Sequence, residues 1–178
     1  MKTAFRFSIL TTMLIVVMSF SSCKEEQDPK DDNGTTQPQS ENIDSVLIGE
    51  WRTPTALDWS YDPSTKKYSN VSGDGGIVNF NSDGTWWNFY NGETSGTVFT
   101  NSTTGKCTKA KDGVMQSSNI ISTNTNDGGQ TWIPATSYPS EHTQYYSITV
   151  ENNTTFLYMS NNNPAINDPN AYKYQKVK

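Results

Sequence analysis

Val78-Asn79-Phe80-Asn81-Ser82-Asp83-Gly84-Thr85-Trp86-Trp87-Asn88-Phe89 sets two alternating, aromatic-rich runs on either side of an Asp-Gly turn. Strict apolar/polar alternation is the period-2 mark of a half-buried strand, and Asp-Gly between two such runs signals a hairpin. With Asp83-Gly84 as a two-residue type I′ loop, Phe80 pairs with Trp87, Asn79 with Asn88 and Val78 with Phe89. One face is then Val78, Phe80, Trp87 and Phe89; the other is Asn79, Asn81, Trp86, Asn88 and Tyr90. A three-residue loop would set Phe80 opposite Trp86 and mix the faces, so the two-residue register is expected.

A second hairpin follows the same logic around Asn152-Asn153. Val150 pairs with Thr155, Ile148 with Leu157 and Tyr146 with Met159 along a mostly apolar face. Tyr145, Ser147, Thr149, Phe156 and Tyr158 form the other. Each hairpin thus has a dry side and an aromatic, hydroxyl-rich side.

Working outward, strands are expected at 46–52, 55–61, 66–71, 76–82, 85–91, 95–100, 117–123, 130–134, 143–151, 154–160 and 171–177. Gly-Asp-Gly-Gly, Asn-Gly, Asn-Asp-Gly-Gly and Asn-Asp-Pro-Asn stand between them as turn formers. No eleven-residue window carries a 3.6 period, although 105–120 leaves room for a short helix. Residues 100–142 read as an insertion or as long loops over one end of the fold. The expected class is all-β: a small antiparallel barrel, since closure removes edge strands and yields two distinct surfaces. A β-sandwich satisfies the same alternation and is the alternative.

Composition agrees. Apolar residues make up 33% of the 178, and 12% of the chain is aromatic, so Trp, Tyr and Phe replace Leu as packing residues. Residues 24–45 hold two basic and seven acidic residues, whereas 46–178 hold nine basic and eleven acidic. The acidity belongs to the leading segment, and the remaining 133 residues offer no basic field for nucleic acid.

The first residues read as an address. Lys2 and Arg6 precede an apolar stretch from Phe7 to Met18, too short for the ~20 residues a spanning helix needs but suited to a signal h-region. Residues 1–22 are therefore read as a lipoprotein signal peptide, 23–45 as an acidic, structureless tether and 46–178 as the folding unit. Phe20-Ser21-Ser22-Cys23 resembles the lipobox of bacterial lipoproteins, which implies acylation of Cys23 and an effectively permanent anchor. Lys24-Glu25-Glu26-Gln27-Asp28 resembles the surface-export signals of Bacteroidetes lipoproteins. Asp44-Ser45-Val46 resembles the O-glycosylation pattern of those bacteria, making Ser45 a candidate acceptor. With Cys23 lipidated, Cys107 is the remaining thiol and no intrachain disulfide forms.

Leu47-Ile48-Gly49-Glu50-Trp51 contains a Gly-x-Trp on the first strand. Together with the Asp83-Gly84-Thr85 hairpin and the Tyr-rich last strand Ala171-Tyr172-Lys173-Tyr174, it resembles the small lipocalin-like domains of Bacteroidetes lipoproteins. The resemblance implies a ligand cavity, structural roles for Gly49, Trp51, Asp83 and Gly84, and Trp51 plugging the closed end against a basic residue such as Lys176.

Candidate ligand-binding residues are Trp59, Tyr61, Trp86, Tyr90 and Trp132, since sugars and amphipathic molecules stack on aromatics while Asn and Asp bond their polar groups. Catalytic signatures are sparse. His142 is the single histidine, and no Gly-x-Ser-x-Gly elbow, phosphate loop or dinucleotide fingerprint is present. One histidine and one thiol do not make a zinc site. Asn79-x-Asn81-x-Asp83-Gly84 imitates half a calcium loop, but Tyr90 stands where the closing Glu belongs. Paired carboxylates for glycoside hydrolysis could come from Asp58, Asp62, Asp74, Glu93 or Glu141.

The functional expectation is a monomeric, non-catalytic lipoprotein of the outer membrane, facing the cell exterior. It binds a small amphipathic ligand or a glycan and uses no cofactor or metal. Two alternatives stand beside it. A glycan-active hydrolase requires two convergent carboxylates in a cleft. A structural or inhibitory protein-binding module would have a solid barrel, filled by Phe80, Trp87, Ile148 and Leu157, and would recognise its partner through 100–142.

Overall fold

In the computed structural model, residues 43–94, 97–135 and 139–177 are described; all belong to the compact unit Thr35–Lys178. Cys23, the signal peptide and nearly all of the tether lie outside them. Eleven strands form: β1 (Gly49–Arg52), β2 (Ser60–Asp62), β3 (Lys67–Ser69), β4 (Gly75–Phe80), β5 (Thr85–Thr94), β6 (Thr97–Lys111), β7 (Val114–Thr125), β8 (Ile133–Pro134), β9 (His142–Glu151), β10 (Thr154–Ser160) and β11 (Tyr172–Lys176).

Eight of them close on themselves in the order β1-β4-β5-β6-β7-β9-β10-β11, and β11 returns to pair with β1. Every step joins neighbours antiparallel, so the wall is an up-and-down meander, the topology of lipocalin-like barrels. Closure excludes the sandwich. β2 and β3 form a separate two-stranded flap, and β8 adds to the far end of β7.

Residues 100–142 depart from expectation. Most of the segment is barrel wall: β6 and β7 pair along nearly their whole length, with irregularities at Thr104/Lys106 and Cys107/Lys109. No helix lies in 105–120. The long strands escape a periodicity reading because both faces of β6 are polar, with Asn101 and Thr103 on one and Thr100 and Ser102 on the other.

The β9–β10 hairpin has the expected register, Ile148 opposite Leu157 and Tyr146 opposite Met159, with Asn152 and Asn153 at φ 50° and 65°. The β4–β5 hairpin does not. Phe80 pairs with Trp86, Asn79 with Trp87 and Ile77 with Phe89, because the loop has three residues. Asn81 N donates to Thr85 O at 2.8 Å, Gly84 N to Asn81 O at 3.0 Å, and Gly84 takes φ +87°. This is a turn closed by a left-handed glycine. The Asp83 carboxylate accepts from both Thr85 N and Thr85 Oγ1 at 2.8 and 2.7 Å, which holds its pKa below the ordinary value. That local bonding outweighs the face-purity argument.

The one-residue displacement has a purpose in packing, since both faces of β4–β5 are covered. Inside the barrel, Val78 and Phe80 join Leu47, Trp51, Leu157 and Met159 in the main core, with Trp86 against it. Outside, Ile77 and Phe89 join Ala56 and Trp59 in a second core, with Tyr61, Tyr68, Trp87 and Trp132 packed on it. Arg52 Nη1 ties the 53–59 segment down over this outer core by donating to the carbonyls of Ala56, Leu57 and Trp59 at 3.2, 2.9 and 2.7 Å.

One end of the barrel is stoppered. Asp44 caps a 3₁₀ turn at Ser45–Leu47, and Ile43 bridges Ala110. Ile43 is buried in the main core, so the folded unit reaches at least three residues ahead of the expected start at 46. Gly49, at φ +119°, lets the chain turn from this stopper into β1. Trp51 is fully buried, and its Nε1 donates to Leu47 O at 2.7 Å.

Candidate functional site

The main core occupies the stoppered half of the barrel and leaves the other half hollow. A cavity of about 280 Å³ remains there, walled by inward residues of β4, β5, β6, β7, β9, β10 and β11. On β5 the inward set is Trp86, Asn88 and Tyr90, at the i, i+2, i+4 spacing that shares one strand face. On β6 it is Phe99, Asn101 and Thr103.

Two aromatic rings on this wall occupy space that glycines leave free. Gly105 stands opposite Trp86 in register, and a Cβ there would come within 2.7 Å of Trp86 Cζ2. A Cβ on Gly92 would meet Tyr90 Cε1 at 2.5 Å. At the mouth, Tyr90 meets Phe99 with centroids 6.0 Å apart and Tyr172 edge-on at 5.9 Å. Tyr172 is 50% exposed there. Burial pushes the Tyr90 phenol above its ordinary pKa, so it stays neutral.

The polar groups of the cavity are amides, hydroxyls and the Trp86 indole nitrogen, which is buried with no hydrogen-bond partner among the described residues. Asn101 Nδ2 donates to Ser122 Oγ at 2.7 Å and to Asn124 Oδ1 at 2.8 Å, while Thr103 Oγ1 donates to Asn101 Oδ1 at 2.7 Å. Asn88 Nδ2 donates to Ile77 O at 3.2 Å. Gln144 lines the cavity, and its side-chain amide has no hydrogen-bond partner among the described residues. No lining residue carries a formal charge.

The five sequence candidates separate. Trp86 and Tyr90 line the cavity. Trp59, Tyr61 and Trp132 belong to the outer core: Tyr61 stacks on Phe89 with centroids 4.2 Å apart, Trp59 meets Phe89 edge-on at 6.2 Å, and Trp132 sits under Lys66 Nζ. Phe99, Asn88, Asn101, Gln144 and Tyr172 were not singled out. Asn88 was legible, lying between Trp86 and Tyr90 on one face, but Asn101 and Gln144 sit in runs of uniform polarity. Ser45 is exposed at the stoppered end. Trp87, expected inside, points outward onto the second core.

Among the groups considered for catalysis, His142 Nε2 lies 3.1 Å from Asn161 Oδ1, and Ser117 faces His142 across β7–β9 without a hydrogen-bond partner for its Oγ among the described residues. Asp74 and Glu93 line a separate external recess of about 410 Å³ beside the flap, where Asp74 Oδ1 accepts from Glu93 N at 3.0 Å. Asp62 is occupied by Ser64 and Thr65, which hold its pKa down to about 2. Cys107 is buried, and burial pushes its thiol up to about 11. Among the described residues no group of three or more His, Cys, Asp or Glu is placed to hold a metal.

Fold and cavity together define a closed eight-strand up-and-down barrel, stoppered at one end and hollow at the other. Compared with family models, with curated proteins and with solved structures, the chain matches none.

Proposed function

We propose that this chain is a non-catalytic, lipid-anchored binding protein of a bacterial outer membrane, displayed outward, whose barrel captures a small amphipathic molecule or a glycan. The observation that carries the reading is the uncharged, aromatic-walled cavity at the end opposite the Trp51 stopper. At about 280 Å³ it lies near the lower edge of the usual ~300–1,000 Å³ for small-molecule sites. The lipobox-like Phe20-Ser21-Ser22-Cys23 and the acidic segment after it support attachment through Cys23. A solid interior, which a purely structural module would have, is not what the hollow half offers.

Intrinsic Trp fluorescence tests the binding half of this reading. A ligand in the cavity should shift emission, and Trp86→Phe should remove most of the shift while Trp132→Phe leaves it. For the anchor, mass spectrometry should find a lipidated N-terminus at Cys23, and Cys23→Ala should release the protein from membranes. Protease shaving of intact cells tests orientation: full protection would mean an inward-facing domain.

A glycan-active hydrolase has one observation of its own, the pair Asp74 and Glu93 in one recess. Glycoside hydrolysis at that recess would be abolished by Glu93→Gln and untouched by Trp86→Phe.

A further inference from the structure

The cavity's polar inventory narrows the ligand class, an inference that rests on the binding reading above. We infer that the cavity selects a compact, neutral, mostly apolar ring molecule presenting one carbonyl- or amide-type group to Gln144, and that it rejects the matching carboxylate.

Three observations lead there. First, none of the lining side chains is charged. A carboxylate, Asp168, lies in an adjoining recess that shares Gln144, Met159 and Tyr172 with the cavity. Its oxygens are taken by Ser160, by Asn162 Nδ2 at 3.0 Å and by Asn170 N at 2.9 Å. An anionic ligand would give up its water, meet no cation and lie beside a negative group.

Second, the Asn and Thr groups of the wall are largely spent. Both Asn101 Nδ2 protons are donated within the wall, Thr103 is bonded to Asn101, and Asn88 Nδ2 is bonded to Ile77 O. Gln144 keeps a donor and an acceptor side by side, and the buried Trp86 Nε1 keeps a donor with no partner among the described residues. A sugar brings a hydroxyl on almost every carbon, more than these few open groups can pair. A molecule with one neutral polar group is matched.

Third, the lining is aromatic. Trp86 and Tyr90 fill the space that side chains at Gly105 and Gly92 would take, and both rings line the cavity. Aromatic rings suit a ring system by stacking. The volume of about 280 Å³ corresponds to roughly nine waters at ~30 Å³ each, space for a small fused ring system.

Isothermal titration of the full chain with 2-naphthamide, 2-naphthoate, 2-naphthylmethylamine and cellobiose at neutral pH tests this. The first three share one ring and differ in charge. The expected result is binding of 2-naphthamide at least tenfold tighter than of either ionised analogue or of cellobiose. Gln144→Lys should reverse the order in favour of 2-naphthoate, and Gln144→Leu should flatten it. Equal or tighter binding of 2-naphthoate, of the amine or of cellobiose by the wild-type chain overturns the selectivity while leaving a binding protein. Absence of heat from all four, with Trp emission unmoved, overturns both readings.

Discussion

The Lys176 ammonium lies 5.1 Å from the centroid of the Trp51 ring and donates to Val46 O at 2.8 Å. The two residues are also partners in the β1–β11 ladder that closes the barrel. One cation thus ties the last strand, the first strand and the 3₁₀ stopper together. Trp51→Ala should cost about 3–5 kcal/mol, as for a large buried aromatic. Lys176→Met, which keeps the aliphatic stem, should cost about 1 kcal/mol. Urea denaturation of both variants and of the double variant checks this, and the double should lose less than the sum because the two side chains touch.

Gly84→Val places a β-branched residue at φ +87°, where its Cβ would also meet Cys107 O at 3.1 Å and Ile43 Cδ1 at 3.2 Å. Gly128 has φ +74° with nothing within 4 Å. Backbone strain alone costs ~1–3 kcal/mol, so Gly128→Val should fall in that range and Gly84→Val should exceed it. Equal losses in thermal melts would show that the stopper yields to the extra atoms.

Asp83 gives the same hairpin a pH dependence. Its folded pKa is lowered by Thr85, so its contribution is complete above the unfolded value of ~3.9 and is lost as pH falls through the lower folded value. The stability gap between wild type and Asp83→Ala should therefore be widest near neutrality and should shrink on acidification, as read by melting at a series of pH values.

Much of this architecture was legible because hairpins advertise themselves. Asn152-Asn153 accepts left-handed φ at both loop positions, and the register followed. Asp83-Gly84 misled by one residue, since the same dipeptide serves a two-residue loop or the end of a three-residue one; only the Thr85 bonds to Asp83 decide. The cavity was half legible. Trp86 and Tyr90 stand out as aromatics on a polar face, but the adjoining strand β6 lines the cavity with Asn101 and Thr103, and a polar inner wall erases the alternation that marks a strand. Trp59, Tyr61 and Trp132 resembled site residues for a different reason. The outside of this barrel carries a second core under the flap, and aromatics buried there look in sequence like aromatics kept for a ligand.

Cys107 should be inert in the folded protein. Burial lifts its thiol to about 11, leaving little thiolate at pH 8. In a chain carrying Cys23→Ser, iodoacetamide should label Cys107 at least tenfold more slowly in buffer than in denaturing urea. Rapid labelling in buffer would mean that the stoppered end opens readily.

Gly105→Val offers the sharpest separation of cavity from fold. Gly105 is half-buried, so the added side chain meets chiefly the Trp86 indole, 2.7–2.9 Å from where the Cβ would stand. Either the indole swings off the wall into the hollow or the strand bows outward. The first is the expected course, because a ring facing empty space has somewhere to go, whereas β6 is paired with β5 at Gly105 itself and with β7 on either side of it, at Thr104 and Lys106. Affinity for 2-naphthamide should then fall at least tenfold with the Trp51 and Lys176 end unaffected and the circular dichroism unchanged. Gly92→Val makes the same test on Tyr90, whose ring lies 2.5 Å from that Cβ, nearer the mouth. If both variants fold and bind as the wild type does, the ligand does not occupy the space between these two rings.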